Sequence, residues 1–396
     1  MLKNKNLLIL ILCQIFSFTA PPVIVFLSSI IGFKISPISS LSTLPMSLAI
    51  VGTASFTFFA AKIMSKIGRK KGFIYASLLT TLSSLLAAYS IFLENFYLFC
   101  LSCFLIGAGV AVTHQYRFAA AEAVGSENTA KAISYLMLAG IISGILGPNI
   151  ANFSKNIFLE NVYVGSYLAL SFLTFLPVLL FYFYTPEEIK MDKKKLHIRN
   201  YSELLKNPRI FQAIISGAFG YAVMAFLMTA TPLSMHQLSN INIGKISIVM
   251  QFHIIGMFLP SIFTGKLIIK YGHSKMIYCG SIIFLTCIAF SYFEQNFINY
   301  LISLILLGIG WNFVFITSTD LLVKNYSLEE RFKAQGFNDL IVFSVQATAS
   351  LSAGYFILNF GWSFVNVLCI PLVIIILIVN LKADMLCKNS KEYKNV

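Results

Sequence analysis

The 396-residue chain is 58% hydrophobic and only 11% charged, with a mean hydropathy of +0.81. Soluble domains are about half apolar and about a quarter charged, so this composition excludes a water-soluble globular protein and makes the lipid bilayer the solvent. The net charge of +14 does not point to a nucleic-acid partner, because the basic residues fall in alternate loops rather than on one polar face.

Twelve apolar stretches follow one another, at roughly 7–33, 40–61, 73–93, 97–121, 132–153, 162–184, 210–235, 244–269, 276–293, 298–322, 334–358 and 362–381. Each is long enough to cross about 30 Å of hydrocarbon as a helix of about 20 residues. Alternating barrel-type strands are absent, which leaves helices as the way to satisfy every backbone group in lipid and predicts an all-α integral membrane fold. The first run continues past Pro21-Pro22 to Phe33 with no small-residue cleavage site, so it reads as an uncleaved first helix rather than a signal peptide.

If Lys3 and Lys5 are cytoplasmic, nearly every other Lys and Arg lies on the same side; Lys34, Lys155 and Lys245 fall outside and Arg117 lies within a run. The positive-inside rule then places both termini in the cytoplasm. Between the sixth and seventh runs lies one long polar segment, 185–209, carrying Lys193-Lys194-Lys195 among Glu187, Glu188, Asp192 and Glu203. It reads as a cytoplasmic linker between an N-terminal six-helix bundle, 1–184, and a C-terminal one with a short tail, 210–396. Within the linker, Tyr201 to Lys206 could form a short surface helix or a solvated tether.

The halves share a pattern. Ala61 to Lys71 recurs as Gly265 to Lys275, with Lys62/Lys266, Lys66/Lys270, Gly68/Gly272 and Lys71/Lys275 identical at an offset of 204. Gly107 and Gly109 match Gly308 and Gly310, and Ala130-Lys131-Ala132 matches Phe332-Lys333-Ala334. An internal duplication of a helical membrane protein is the mark of a two-halved transporter. Pro21, Pro22, Pro45, Pro148, Pro177, Pro232, Pro260 and Pro371 interrupt spans, as membrane helices tolerate and a rocking carrier would use. The seven cysteines show no metal spacing and no disulfide framework, and no cofactor or metal is expected.

These features resemble the major facilitator superfamily across essentially the whole chain. That family's turn between helices two and three, G-x-x-x-D-x-x-G-R-[RK], is matched here at Gly68, Arg69 and Lys70; Ala61 and Ser65 depart from it, and Ile269 stands at the acidic position of the second copy. The resemblance implies that Gly68, Arg69, Lys70 and Gly272 form gating turns, with Asp320 and Asp339 near the gates. Cys103 occupies the place of an arginine that family members often carry in the fourth helix. Gly140, Gly144 and Gly147-Pro148 are similar to the glycines of exporting antiporters, and equally to any close helix-packing stripe. The stretches Gln115 to Glu122 and Gln251 to Met257 resemble uncharacterised bacterial inner-membrane members and riboflavin-type carriers, without assigning a substrate.

Ionisable groups inside spans are costly and are functional candidates by default. Arg117 reads either as an anion-binding or gate-pairing cation, with Asp320 or Asp339 as partner, or as a snorkelling interface residue. His114 and His253 can exchange protons near neutral pH and are candidates for proton coupling, against a plain packing role. The resemblance makes Gln14, Gln115, Tyr116, Tyr221, Trp311 and Asn312 the candidate cavity lining, where Trp311-Asn312 could stack on and orient a planar solute. No phosphate-cradling loop for ATP appears, and no H-E-x-x-H motif, paired mid-membrane acids or nucleophile elbow speaks for an enzyme. The expected protein is a monomeric secondary transporter of the bacterial inner membrane, moving a small organic solute by alternating access with a proton or solute gradient. Export of a drug-like compound or metabolite is the preferred direction; uptake of a nutrient or vitamin-like solute is the alternative. A receptor or scaffold that transports nothing is a further alternative.

Overall fold

The computed structural model describes residues 4–38, 41, 44–158, 161–186, 199–293 and 295–389. The linker acids Glu187, Glu188 and Asp192 and the Lys193-Lys194-Lys195 run lie outside the described residues. Among the described residues, twelve helices are long and apolar enough to span a membrane. They are α1 (Lys5–Val25), α2 (Leu44–Ile67), α3 (Arg69–Phe92), α4 (Phe96–Glu122), α5 (Ser126–Ser154) and α6 (Val164–Tyr182). The second set is α7 (Pro208–Leu233), α8 (Ile248–Tyr271), α9 (His273–Tyr292), α10 (Phe297–Val323), α11 (Arg331–Ile357) and α12 (Asn359–Lys388). No strand occurs among the described residues.

By contacts the described residues group into two compact units, Met1–Val124 with Ala139–Lys190 and Gly125–Leu138 with Met191–Val396. The first turns of α5 therefore group with the second unit. In the first unit α2 and α3 pack on α4, and α1 and α3 pack on α6. The second unit repeats the scheme: α7, α8 and α9 pack on α10, and α7 and α9 pack on the helices that follow Arg331.

Local chemistry is duplicated with the packing. Helix starts are capped by asparagine side chains that accept from the first-turn amides: Asn4 and Asn207 for α1 and α7, Asn95 and Asn296 for α4 and α10. Such caps satisfy donors that a helix start leaves open and are worth about 1 kcal/mol each. Gly68 (φ 81°, ψ 162°) and Gly272 (φ 82°, ψ 164°) adopt the same left-handed, extended backbone between α2 and α3 and between α8 and α9. That region is essentially reserved for glycine.

Helices meet backbone to backbone where side chains vanish. A Cβ on Gly52 would lie 2.1 Å from the Phe104 carbonyl oxygen, and one on Gly107 would lie 2.0 Å from that of Ala49. The α8–α10 crossing repeats this, with Gly256 against the Ile305 carbonyl oxygen at 2.8 Å and Gly308 against that of His253 at 2.7 Å. Gly52 to Gly256 keeps the 204 offset of the basic turn.

Several spans are broken rather than continuous. α1 breaks at Phe18-Thr19, just ahead of Pro21-Pro22; α4 breaks at His114-Gln115; α8 breaks at Leu259-Pro260. Proline has no N–H and clashes with the preceding turn, which explains the first and last. The run at 97–121 gives no hint of the α4 break. Pro148, Pro177, Pro232 and Pro371 sit inside helices, whereas Pro21, Pro22, Pro45 and Pro260 lie at or beside helix starts.

Gly52→Ala or Gly107→Ala should lower stability by about 1–3 kcal/mol through overpacking. Gly354→Ala, where an added Cβ meets nothing within 4 Å, is the reference. Thermal unfolding of the purified variants in detergent checks the contrast, and equal melting temperatures for all three would refute it.

Candidate functional site

In the first unit the α4 break gathers polar groups inside the bundle. Gln115 is fully buried, Arg117 is 2% exposed and Gln14 of α1 is 4% exposed. The Arg117 guanidinium is buried in α4 and lies 4.6 Å from the centre of the Phe118 ring. The Gln14 side-chain oxygen has no hydrogen-bond partner among the described residues. His114 is half-buried and meets Phe18 edge-on at 5.8 Å. Tyr116 turns the other way: its ring packs on Phe73 at 4.7 Å and Phe181 at 5.3 Å, and its hydroxyl lies 3.2 Å from that of Ser17. Its contacts are those of the bundle core.

The second unit holds an aromatic cluster. Trp311 stacks on Phe315 with ring centres 4.9 Å apart and planes at 14°. Tyr221 meets Trp311 edge-on at 5.4 Å, Phe315 at 5.2 Å and Phe343 at 5.7 Å, and Phe258 closes the group at 6.0 Å from Trp311. Tyr221 is only half-buried, whereas Trp311 is 1% exposed and its indole N–H has no partner among the described residues. A buried donor without an acceptor costs about 1–3 kcal/mol, which marks a place where a ligand oxygen would be stabilised.

Asn312 has a different role from its neighbour. Its amide nitrogen donates to the Met257 carbonyl at 2.6 Å and to the Ser261 hydroxyl at 2.7 Å, and its oxygen accepts from Thr264 at 2.7 Å. All three partners flank the Pro260 break, so Asn312 stitches the interrupted α8 to α10. The sequence pairing of Trp311 with Asn312 as joint solute ligands is thereby split.

His253 sits fully buried at the α8–α10 crossing, its Nδ1 2.8 Å from the Leu304 carbonyl. A carbonyl only accepts, so Nδ1 carries the hydrogen and Nε2, with no described partner, keeps a free lone pair. Gly147 of α5 packs on the α1 break, its Cβ position 2.9 Å from the Thr19 carbonyl oxygen, and Pro148 follows inside the helix. Gly140 is buried and Gly144 half-buried on the same helix.

At the end carrying the basic turns, each unit has an ion pair. Arg69, the first residue of α3, donates to both Glu122 carboxylate oxygens, Nε at 2.7 Å and a terminal nitrogen at 2.5 Å. Lys70 donates to the Tyr182 carbonyl at 2.6 Å. In the second copy His273 replaces the arginine, with Nε2 2.7 Å from the fully buried Asp320; Lys324 lies 3.3 Å away and Thr129 also donates to the same carboxylate. Asp320 is thus engaged within its own unit. Asp339 is buried and accepts from Asn338 at 2.9 Å.

Two networks at this end escaped sequence reading. Arg209 bridges Asp384, Gln212 and Ser274 at 2.9, 2.8 and 3.1 Å, tying α7, α9 and α12 together. Arg199 donates to both oxygens of Glu330 at 2.7 Å, next to the short helix Tyr201–Lys206, which forms behind an Asn200/Glu203 capping box. Burial opposes ionisation of Glu330, but the hydrogen bonds from Arg199 and from backbone amides outweigh it and pull the carboxyl down to about 2.

The comparisons with known proteins fit this architecture. The Major Facilitator Superfamily model matches residues 7–331 and 214–384. The chain belongs to this superfamily. A riboflavin transporter of Brucella anthropi is 33% identical over 383 residues, 95% of this chain and 94% of that protein. An uncharacterised MFS-type transporter of Bacillus subtilis, YdeG, is 26% identical over 94% of this chain and 92% of its own length. Among solved structures, a bacterial homologue of the iron transporter ferroportin in its outward-facing state aligns with a TM-score of 0.74 at 12% identity, covering 96% of this chain and 99% of that one. The human organic anion transporter MFSD10 aligns with a TM-score of 0.72, also at 12% identity, over 95% and 99% of the two chains. These structural likenesses establish the shared fold. The protein is therefore an integral membrane transporter for a small molecule.

Two outcomes follow from the electrostatics. Glu122→Gln leaves Arg69 buried beside a neutral amide and should cost about 3 kcal/mol, read as a lowered melting temperature; an unchanged one would show the pair to be dispensable. Glu330, held below its ordinary value of 4.5, contributes stability that is present above that pH and is lost as pH falls toward about 2. Melting temperature measured across that window should drop less steeply in Glu330→Gln than in the parent; parallel curves would contradict this.

Proposed function

We propose that this transporter takes up riboflavin or a closely related planar, vitamin-like solute across the bacterial inner membrane. The observation that carries the reading is the 33% identity to the Brucella riboflavin transporter, sustained over 95% of the chain rather than confined to a motif. The chemistry of the aromatic cluster supports it. Stacked Trp311 and Phe315, edge-on Tyr221 and an indole N–H in search of an acceptor suit a flat ring system bearing carbonyl oxygens. In the first unit Gln14, Gln115 and Arg117 form a separate set of buried polar groups. Export of drug-like compounds has less behind it: the Gly147-Pro148 region is accounted for by its packing on the α1 break.

In this reading 1–184 and 210–396 are the two moving halves, 185–209 is the tether, and both termini are cytoplasmic. The gating turns are those of Gly68-Arg69-Lys70 and Gly272, with Asp320 and Asp339 near the second. Transport is coupled to protons through His253, whose Nε2 has no partner among the described residues, or through His114.

The test is labelled-riboflavin uptake by riboflavin-requiring cells that lack a carrier of their own. Wild-type protein should restore uptake and growth at limiting riboflavin; correctly inserted protein that restores neither would overturn the proposal. Trp311→Phe keeps the stack and removes the N–H donor, so its apparent KM should rise about tenfold, the worth of one buried hydrogen bond. His253→Ala should flatten the pH dependence of uptake, and an unaltered profile would assign coupling elsewhere.

A further inference from the structure

The seam between α5 and α8 carries two lysines without a neutralising partner among the described residues. Gly265 lets the helices touch: a Cβ there would lie 2.8 Å from the Ala130 carbonyl oxygen, the Lys131 Cα and the Ser134 hydroxyl. The contact brings Lys131 of α5 beside Lys266 of α8. Around it lies a small half-open pocket of about 10 Å³, lined by Lys131, Ser134, Tyr135, Ser261, Gly265 and Lys266. That is room for a single water-sized group or one terminal oxygen of a larger anion. Ser134 is 2% exposed, and its hydroxyl has no partner among the described residues.

Neither lysine has a hydrogen bond or ion pair among the described residues. The internal repeat makes this informative. Lys333, the counterpart of Lys131, donates to the Arg199 carbonyl at 2.7 Å and lies 4.8 Å from the Tyr201 ring centre. The same position is thus internally satisfied in one half and left open in the other. Two like charges on touching helices repel, and a single anion placed between them removes that repulsion and adds attraction to both.

The setting selects the anion. Ile262 lines the pocket, and Ile262, Phe263 and Ile269 of the same apolar, membrane-spanning helix are all about half-exposed. A ligand reaching it bears acyl chains for that surface and a phosphate for the lysines and the Ser134 hydroxyl. We propose that this pocket is an anionic-phospholipid site, in which a headgroup phosphate bridges Lys131 and Lys266 and clamps the start of α5 to α8. The residues come from a place that the riboflavin reading does not use, so the two stand or fall separately.

The test measures phosphatidylglycerol binding to the full-length protein in detergent by native mass spectrometry, with melting temperature as a second readout. Phosphatidylcholine and inorganic phosphate serve as separate arms. Charge attraction to an anionic headgroup corresponds to about fivefold in affinity per lysine, so Lys131→Gln/Lys266→Gln should weaken phosphatidylglycerol binding about thirtyfold and abolish its thermal stabilisation. Lys131→Arg/Lys266→Arg should retain both. Lys382→Gln/Lys388→Gln, which removes the same charge from the exposed C-terminal end, controls for general electrostatics. Equal binding by the parent and the seam variant, or equal losses in the seam and tail variants, would overturn the site. Full stabilisation by inorganic phosphate alone, or by phosphatidylcholine, would overturn its assignment to an anionic lipid.

Discussion

Lipid offers no hydrogen bonds and no hydrophobic drive between helices, so the bundle depends on how closely its helix backbones can approach. The glycine crossings meet that constraint. Gly52 and Gly107 bring α2 onto α4, Gly256 and Gly308 bring α8 onto α10, and in both cases the space for a Cβ is filled by the neighbour's main chain. Part of the second unit's candidate site is positioned from the α8–α10 crossing. His253 sits in this crossing, and the break that Asn312 stitches lies immediately beyond it on α8. The aromatic cluster around Trp311 grows from the next residues of α10.

At the basic turns the duplication is close in backbone and loose in chemistry. Gly68 and Gly272 share one conformation, and each is followed by a residue that pairs with a carboxylate at the end of a neighbouring helix. In the first copy that residue is Arg69, always charged and bidentate on Glu122. In the second it is His273, and its carboxylate Asp320 draws on Lys324 and Thr129 as well. The same divergence separates Lys131 from Lys333. The two copies share the glycine geometry and differ in the side chains around it.

Much of the fold was legible because its cause is compositional. Runs of about 20 apolar residues have one stable form in a bilayer, and the basic turns marked where each half repeats. The span limits were less so. α2 extends to Ile67 and α12 to Lys388, past lysines that belong to the helix although they end the apolar run. The α4 break at His114-Gln115 contains neither proline nor glycine, so no local signal announces it. Gly52 and Gly256 could have been found from the 204 offset already visible in the turn. For the site, residue types were readable but partners were not. Asn312 and Trp311 are adjacent in sequence and about 100° apart around a helix, so one faces the kink in α8 and the other the aromatic cluster. Arg69 and Glu122 are 53 positions apart, and only the packing of α3 on α4 joins them.

The central proposal is that this transporter works as a carrier, exposing its solute site to each side of the membrane in turn. Counterflow in proteoliposomes tests this most directly. Vesicles loaded with unlabelled riboflavin and diluted into labelled riboflavin should accumulate label transiently above its external concentration, because a carrier returning loaded exchanges one molecule for another. A simple monotonic approach to equilibrium, as through a pore, or no entry of label at all, as with a receptor, would contradict the account.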